Sequence, residues 1–211
     1  MLNKTVSLFL CLMFFYTYIP LPDWFVQADR KLFELINISG ANKFFDQLMP
    51  LMRNPFLWAP LYFFIIVFVI KNFKTQGWWW LGFVLATAAC TDLTGARLFK
   101  ETFERLRPCS DPEMIGHVRM VLGRCSGGFS FVSNHAINHF GIAAFVFITF
   151  RQIVNYSWVL LVWAGIIGYA QIYVGVHYPF DVFFGSLLGI IIGLGGGSLF
   201  NKKFGFSIFG R

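Results

Sequence analysis

The sequence predicts an all-α fold, an integral membrane bundle of about six transmembrane helices, and three observations carry that prediction. Hydrophobic residues make up 57% of the chain and charged residues 13%, whereas soluble domains carry roughly 25% charge. The polar residues are gathered into short intervals between long apolar runs instead of being spread along every element. Aromatic residues reach 20%, with 28 Phe, as suits a surface facing hydrocarbon and its interfaces. A chain of 211 residues and 24.2 kDa cannot hide that much apolar surface in one globular core. One membrane-embedded domain is expected over 1–211, with a first span and an amphipathic segment in 1–54 and a catalytic core in 55–200.

Apolar runs fall at roughly 5–21, 55–70, 77–96, 136–150, 157–175 and 182–200. A helix needs about 20 residues to cross the hydrocarbon, so the shorter runs draw on flanking residues. Lipid satisfies no backbone amide, which makes each run helical. The first run follows Lys4 but ends in Tyr16-Thr17-Tyr18-Ile19-Pro20, with no small-residue cleavage site, and reads as a retained helix. Residues 23–53 mix Trp24, Phe25, Leu32, Phe33, Leu35 and Ile36 with Asp29, Arg30, Lys31 and Glu34. That pattern predicts an amphipathic segment on the outer surface, either a plain connector or a guide for a lipid head group. Trp78, Trp79 and Trp80 form an interfacial belt at the start of the third run. In the last run Gly185, Gly189, Gly193 and Gly197 recur every four residues, a spacing that lets a neighbouring helix approach closely.

An even number of spans puts both termini on one side. Lys4, Lys71, Lys74, Arg151, Lys202, Lys203 and Arg211 lie there with no acidic residue, and this side is expected to be cytoplasmic. The net charge of +7 sits at membrane boundaries and in one loop, which points to an anionic surface or substrate and away from nucleic acid. Cys11 and Cys90 fall inside runs and are expected to be core thiols. Cys109 and Cys125 flank one outer loop, where an oxidising compartment favours a disulfide worth about 3 kcal/mol in the chain-entropy account.

Three clusters gather the polar chemistry on one membrane face. Lys100 and Arg107 are seven residues apart, which on a continuous helix places two cations on one face, and Pro108 ends the element. Phe131-Val132-Ser133-Asn134-His135 opens the fourth run, where Ser133 or Asn134 can cap the helix and its free amides can hold an anion, with His135 beside them. His177 and Asp181 are four apart before the last run, so a carboxylate can fix one imidazole nitrogen and free the other as a nucleophile. Together these groups are what phosphoryl transfer through a phosphohistidine requires.

The three clusters resemble the motifs of the type 2 phosphatidic acid phosphatases, relatives of vanadium haloperoxidases. Lys100, Arg107 and Pro108 match Lys-x6-Arg-Pro, Val132-Ser133-Asn134-His135 stands for Pro-Ser-Gly-His, and Ala170-Gln171 with His177 and Asp181 stands for Ser-Arg-x5-His-x3-Asp. The resemblance implies that His177 attacks phosphorus, Asp181 orients it, and His135 protonates the leaving oxygen and then activates water. It implies that Lys100, Arg107, Ser133, Asn134 and Gln171 hold the phosphate and that no cofactor or metal is needed. Asn tolerates the left-handed conformations of the Gly it replaces. Gln171 in place of Arg removes a cation, and Arg97, Arg105, Arg119 or Arg124 is expected to compensate. The motifs address a lipid phosphate or diphosphate without specifying the lipid, and an outward-facing site suggests first of all undecaprenyl diphosphate, with lipid A or phosphatidylglycerophosphate as alternatives. Two rival readings remain beside it: a metal hydrolase built on His135 and His139, and a non-catalytic descendant that binds or transports a phospholipid.

Overall fold

In the computed structural model, which describes residues 22–206, the chain is helical and forms no strand among those residues. The predicted first run, 5–21, and Cys11 lie outside them. Helix α1, Asp23–Glu34, is amphipathic and buries only Asp29 and Phe33, four residues apart on one face. A π-helical turn, Leu35–Ser39, leads to α2, Lys43–Met52, capped by Asn42, whose side chain accepts from the Phe45 amide at 2.9 Å. Both helices mix apolar and charged residues along their length.

Helix α3, Pro55–Leu93, contains the second and third predicted runs. Asn54 caps it and Pro55 occupies its first position, where a missing amide costs nothing. It is not continuous: Lys74 adopts φ 48° and ψ −118°, a left-handed conformation that folds the two arms back on each other. Gly77 permits this, because a Cβ there would stand 2.7 Å from the Val69 carbonyl oxygen. A π-helical turn at Thr94–Phe99 and a short helix α4, Lys100–Phe103, follow. The remaining helices are α5, Asn134–Phe150; α6, Val159–Tyr173; and α7, Pro179–Lys203.

The helical runs Pro55–Met114 and Pro179–Lys203 are long and apolar enough to cross a membrane, and Val159–Tyr173 is a shorter apolar helix. Phe63 is 70% exposed and Ile191 64% exposed, side chains that water would not leave on the outside of a bundle. Cys90 lies within a run as expected but is exposed on its outer face, not in the core. The core chain wraps α5 against α7. A Cβ on Gly189 would meet the Ile137 carbonyl oxygen at 2.4 Å, and one on Gly193 the Gly141 carbonyl oxygen at 2.2 Å. The four-residue glycine stripe therefore lets two parallel helices pack backbone to backbone. It brings the starts of α5 and α7 to the same end of the bundle, where the amide of Ser133 donates to the Asp181 carbonyl oxygen at 3.1 Å.

Candidate active site

Where α5 and α7 begin and α6 ends, the first and third clusters meet. His177 is 2% exposed and Asp181 fully buried. Pro179 starts α7, and the Asp181 carboxylate accepts from the Tyr178 amide at 2.8 Å, closing the first turn. His177 Nδ1 stands 3.7 Å from Asp181 Oδ2, too far for a hydrogen bond, and Ser130 fills the interval. Ser130 Oγ donates to Asp181 Oδ2 at 2.5 Å and lies 3.3 Å from His177 Nδ1.

On the other side of the ring, Arg107 Nη1 is 3.0 Å from His177 Nε2. A guanidinium only donates, so Nε2 presents its lone pair and Nδ1 carries the proton. Burial pulls the His177 pKa down from 6.5 to about 4, Asp181 opposing and the charge of Arg107 assisting. The imidazole is thus neutral at pH 7. Arg107 is anchored by the carbonyl oxygens of Gly128 and Val176, at 3.0 and 2.9 Å.

Arg105 balances the acidic side. Its Nη1 meets Asp181 Oδ1 at 2.6 Å, its Nη2 meets Asp29 Oδ2 at 2.6 Å, and its Cζ lies 4.2 Å from the centre of the Tyr178 ring. Asp29 also accepts from the Phe180 amide at 2.9 Å. Burial pushes the Asp29 carboxyl up and Arg105 holds it back. The amphipathic α1 is therefore more than a connector, since it contributes a carboxylate to the site's supporting network. Arg30 reinforces this by pairing with Asp111 at 3.1 Å and with Glu113, while Tyr178 donates its hydroxyl to Asp111 at 2.7 Å.

Lys100 and Arg107 do not share one helix face as the spacing suggested. Glu104 turns left-handed at φ 45° and ends α4, so Arg107 is carried on an extended segment before Pro108. The two charges still lie within electrostatic reach of each other, and Lys100 of His177. Ser133 is buried and caps α5, its Oγ accepting from the Ala136 amide at 3.4 Å. Asn134 points its amide at Asp92, 3.4 Å away on α3. His135 lies within electrostatic reach of Lys100, His177 and Arg53. His139 turns its Nδ1 to the His135 carbonyl oxygen at 2.7 Å, as a helix-buried histidine does. No group of three or more metal-binding side chains converges among the described residues.

Gln171 is fully buried, its Nε2 directed back to the Ile167 carbonyl oxygen at 3.5 Å and its Oε1 without a partner. Of the arginines expected to compensate, Arg105 is committed to two carboxylates and Arg119 to Asp46 at 2.6 Å and to Asn37. Cys109 and Cys125 form a disulfide beside Arg107 and Pro108. Ser130 and Asp29 belong to none of the three motifs, although both sit in the site's supporting network. Only Asp29 carried a signal, an acid on the apolar face of α1.

Residues 77–204 match the PAP2 superfamily. The chain is 34% identical to the lipid A 4'-phosphatase of Bacteroides thetaiotaomicron, over 82% of this chain and 76% of that one. It is 27% identical to the lipid A 4'-phosphatase of Porphyromonas gingivalis, over 81% of this chain and 72% of that one. Its fold is similar to the crystal structure of a transmembrane PAP2-type phosphatidylglycerolphosphate phosphatase from Bacillus subtilis, with a TM-score of 0.67 and 22% identity, covering 94% of this chain and 96% of that one.

Proposed function

This chain belongs to the PAP2 superfamily, and from that premise we propose that it is a membrane phosphatase removing a phosphate monoester from lipid A through a phosphohistidine. The observation that carries the chemistry is the polarity of one ring. His177 offers the lone pair of Nε2 to the cationic side of the site and its Nδ1 proton to the Ser130–Asp181–Arg105 chain. Phosphate oxygens take the place beside Arg107 and Lys100, which neutralise charge as Nε2 attacks phosphorus and the ester bond breaks. His135 gives its proton to the departing sugar oxygen, then takes one from the water that cleaves the phosphorus–nitrogen bond. Asp181, held by Arg105, stabilises the imidazolium formed on the way.

Undecaprenyl diphosphate, the first expectation from an outward-facing site, gives way to lipid A. The relatives that align over four fifths of the chain are both named for the 4'-phosphate of lipid A. We place the site at the outer face of a bacterial inner membrane with both termini in the cytoplasm. The disulfide at the same end of the bundle supports this, because such bonds persist on the oxidising side. The test is phosphate release by the purified protein from lipid A, undecaprenyl diphosphate and phosphatidylglycerophosphate, beside His177→Ala. Release is expected from lipid A and abolished by the substitution. Hydrolysis of undecaprenyl diphosphate with lipid A untouched overturns the substrate assignment.

A further inference from the structure

We propose that Arg53 is a substrate-binding residue that grips the transferring phosphate and supplies the cation absent at Gln171. Arg53 belongs to none of the three motifs and lies outside the segment 77–204 that defines the family match. The assignment rests on the phosphatase reading above.

Its backbone is fixed between two helices. It ends α2, with its amide donating to the Met49 carbonyl oxygen at 3.3 Å, and the next residue, Asn54, caps α3. Its Nε is buried and has no hydrogen-bond partner, and no carboxylate pairs with Arg53 among the described residues. Arg30, Arg105 and Arg119 are ion-paired, whereas the half-buried Arg53 is not.

The surroundings of Arg53 are themselves cationic. It lies within electrostatic reach of Arg107 and of Arg124, and also of His135. Burial and the charge of Arg124 pull its pKa below the ordinary arginine value. A half-buried guanidinium set among like charges with an idle donor is costly unless an anion joins them. Counting the groups at this end of the bundle shows which anion. Asp29 and Asp181 are matched against Arg105, whereas Lys100 (which feels Asp92 and Asp181 only at a distance), Arg107 and Arg53 form no ion pair among the described residues. A tetrahedral phosphate dianion fits three cations, and a planar guanidinium can present two parallel donors to it. Gln171, with its amide turned back into α6, contributes no charge.

The experiment uses the full chain purified in detergent, with p-nitrophenyl phosphate as a lipid-independent monoester and orthovanadate as a tetrahedral phosphate mimic. Losing a charge-assisted contact to phosphate is expected to lower kcat/KM and weaken vanadate inhibition in Arg53→Ala together, each about 10- to 100-fold. Arg53→Lys, which keeps the charge without the fork, falls between. Gln171→Arg added to Arg53→Ala returns cationic charge to the site and raises kcat/KM again. Arg151→Ala, at the far end of α5, stays within about twofold of the parent. The assignment is overturned by an Arg53→Ala enzyme within threefold of the parent, or by a loss of rate that leaves vanadate inhibition unchanged, the mark of a structural role. A parent that hydrolyses no monoester at all refutes the phosphatase reading instead.

Discussion

Replacing Arg105 by Ala removes the cation that two buried carboxylates share. Asp29 and Asp181 are both fully buried, and each sits 2.6 Å from a different nitrogen of the same guanidinium. Stripping one partner from a buried ion pair costs about 3–5 kcal/mol. The Arg105 side chain is 23% exposed, so solvent screens the pair only modestly. Both acids keep other donors: the Phe180 amide for Asp29, and Ser130 with the Tyr178 amide for Asp181. These place the expected loss at the low end, about 3 kcal/mol, or roughly 6–12 °C in melting temperature for a chain of this size. Activity falls further than stability explains. Asp181 loses the cation that holds it ionised, and His177 with it loses the charge that stabilises its own cation, a drop of about 100-fold or more. The assay is thermal unfolding in detergent beside phosphate release, for Arg105→Ala, Asp29→Asn and the double variant. In the double variant part of the stability returns, because no second buried charge is left alone, while activity does not. If Arg105→Ala melts within 2 °C of the parent and keeps more than a fifth of its rate, the shared-cation account is wrong.

Two further outcomes follow from the same geometry. His177 has its pKa depressed from 6.5 to about 4, so the unfolded chain binds its proton first as pH falls. The stability that a neutral His177 contributes is therefore complete above about pH 6.5 and lost as pH drops toward 4, and the proposed nucleophile stays unprotonated above that range. Histidine NMR of the substrate-free protein should show a neutral ring at pH 5.5, and a midpoint at or above 6.5 contradicts this. Gly193→Ala places a methyl 2.2 Å from the Gly141 carbonyl oxygen and must spread α5 from α7, costing about 1–3 kcal/mol. Gly195→Ala meets nothing within 4 Å and is expected to gain up to about 1 kcal/mol from helix propensity. Equal melting temperatures for the two variants would show that the stripe is not a packing surface.

Much of the site was legible in one dimension because its chemistry is carried by short-range spacing. His177 and Asp181 lie one helical turn apart, and Ser133 stands at the cap of the helix that carries His135, so local geometry alone puts these groups together. The glycines every four residues announced a close helix contact for the same reason. The spacing of Lys100 and Arg107 misled, since a left-handed Glu104 breaks the helix that the count of seven assumed. Nothing local encodes a single backbone dihedral of that kind.

The sequence by itself determined the solvent, the helical class and the phosphate chemistry, because hydropathy, backbone satisfaction in lipid and motif spacing act within a few turns of chain. Only the tertiary structure decided who supports that chemistry. Asp29 reaches Arg105 across 76 residues of sequence, Ser130 reaches Asp181 across 51, and Arg107 turns to His177 across 70. Electrostatic pairing in a buried site depends on distances of 2.5 to 4 Å in space and is blind to separation along the chain. No local pattern can report it until the glycine-lined contact of α5 with α7 has brought the helix ends together.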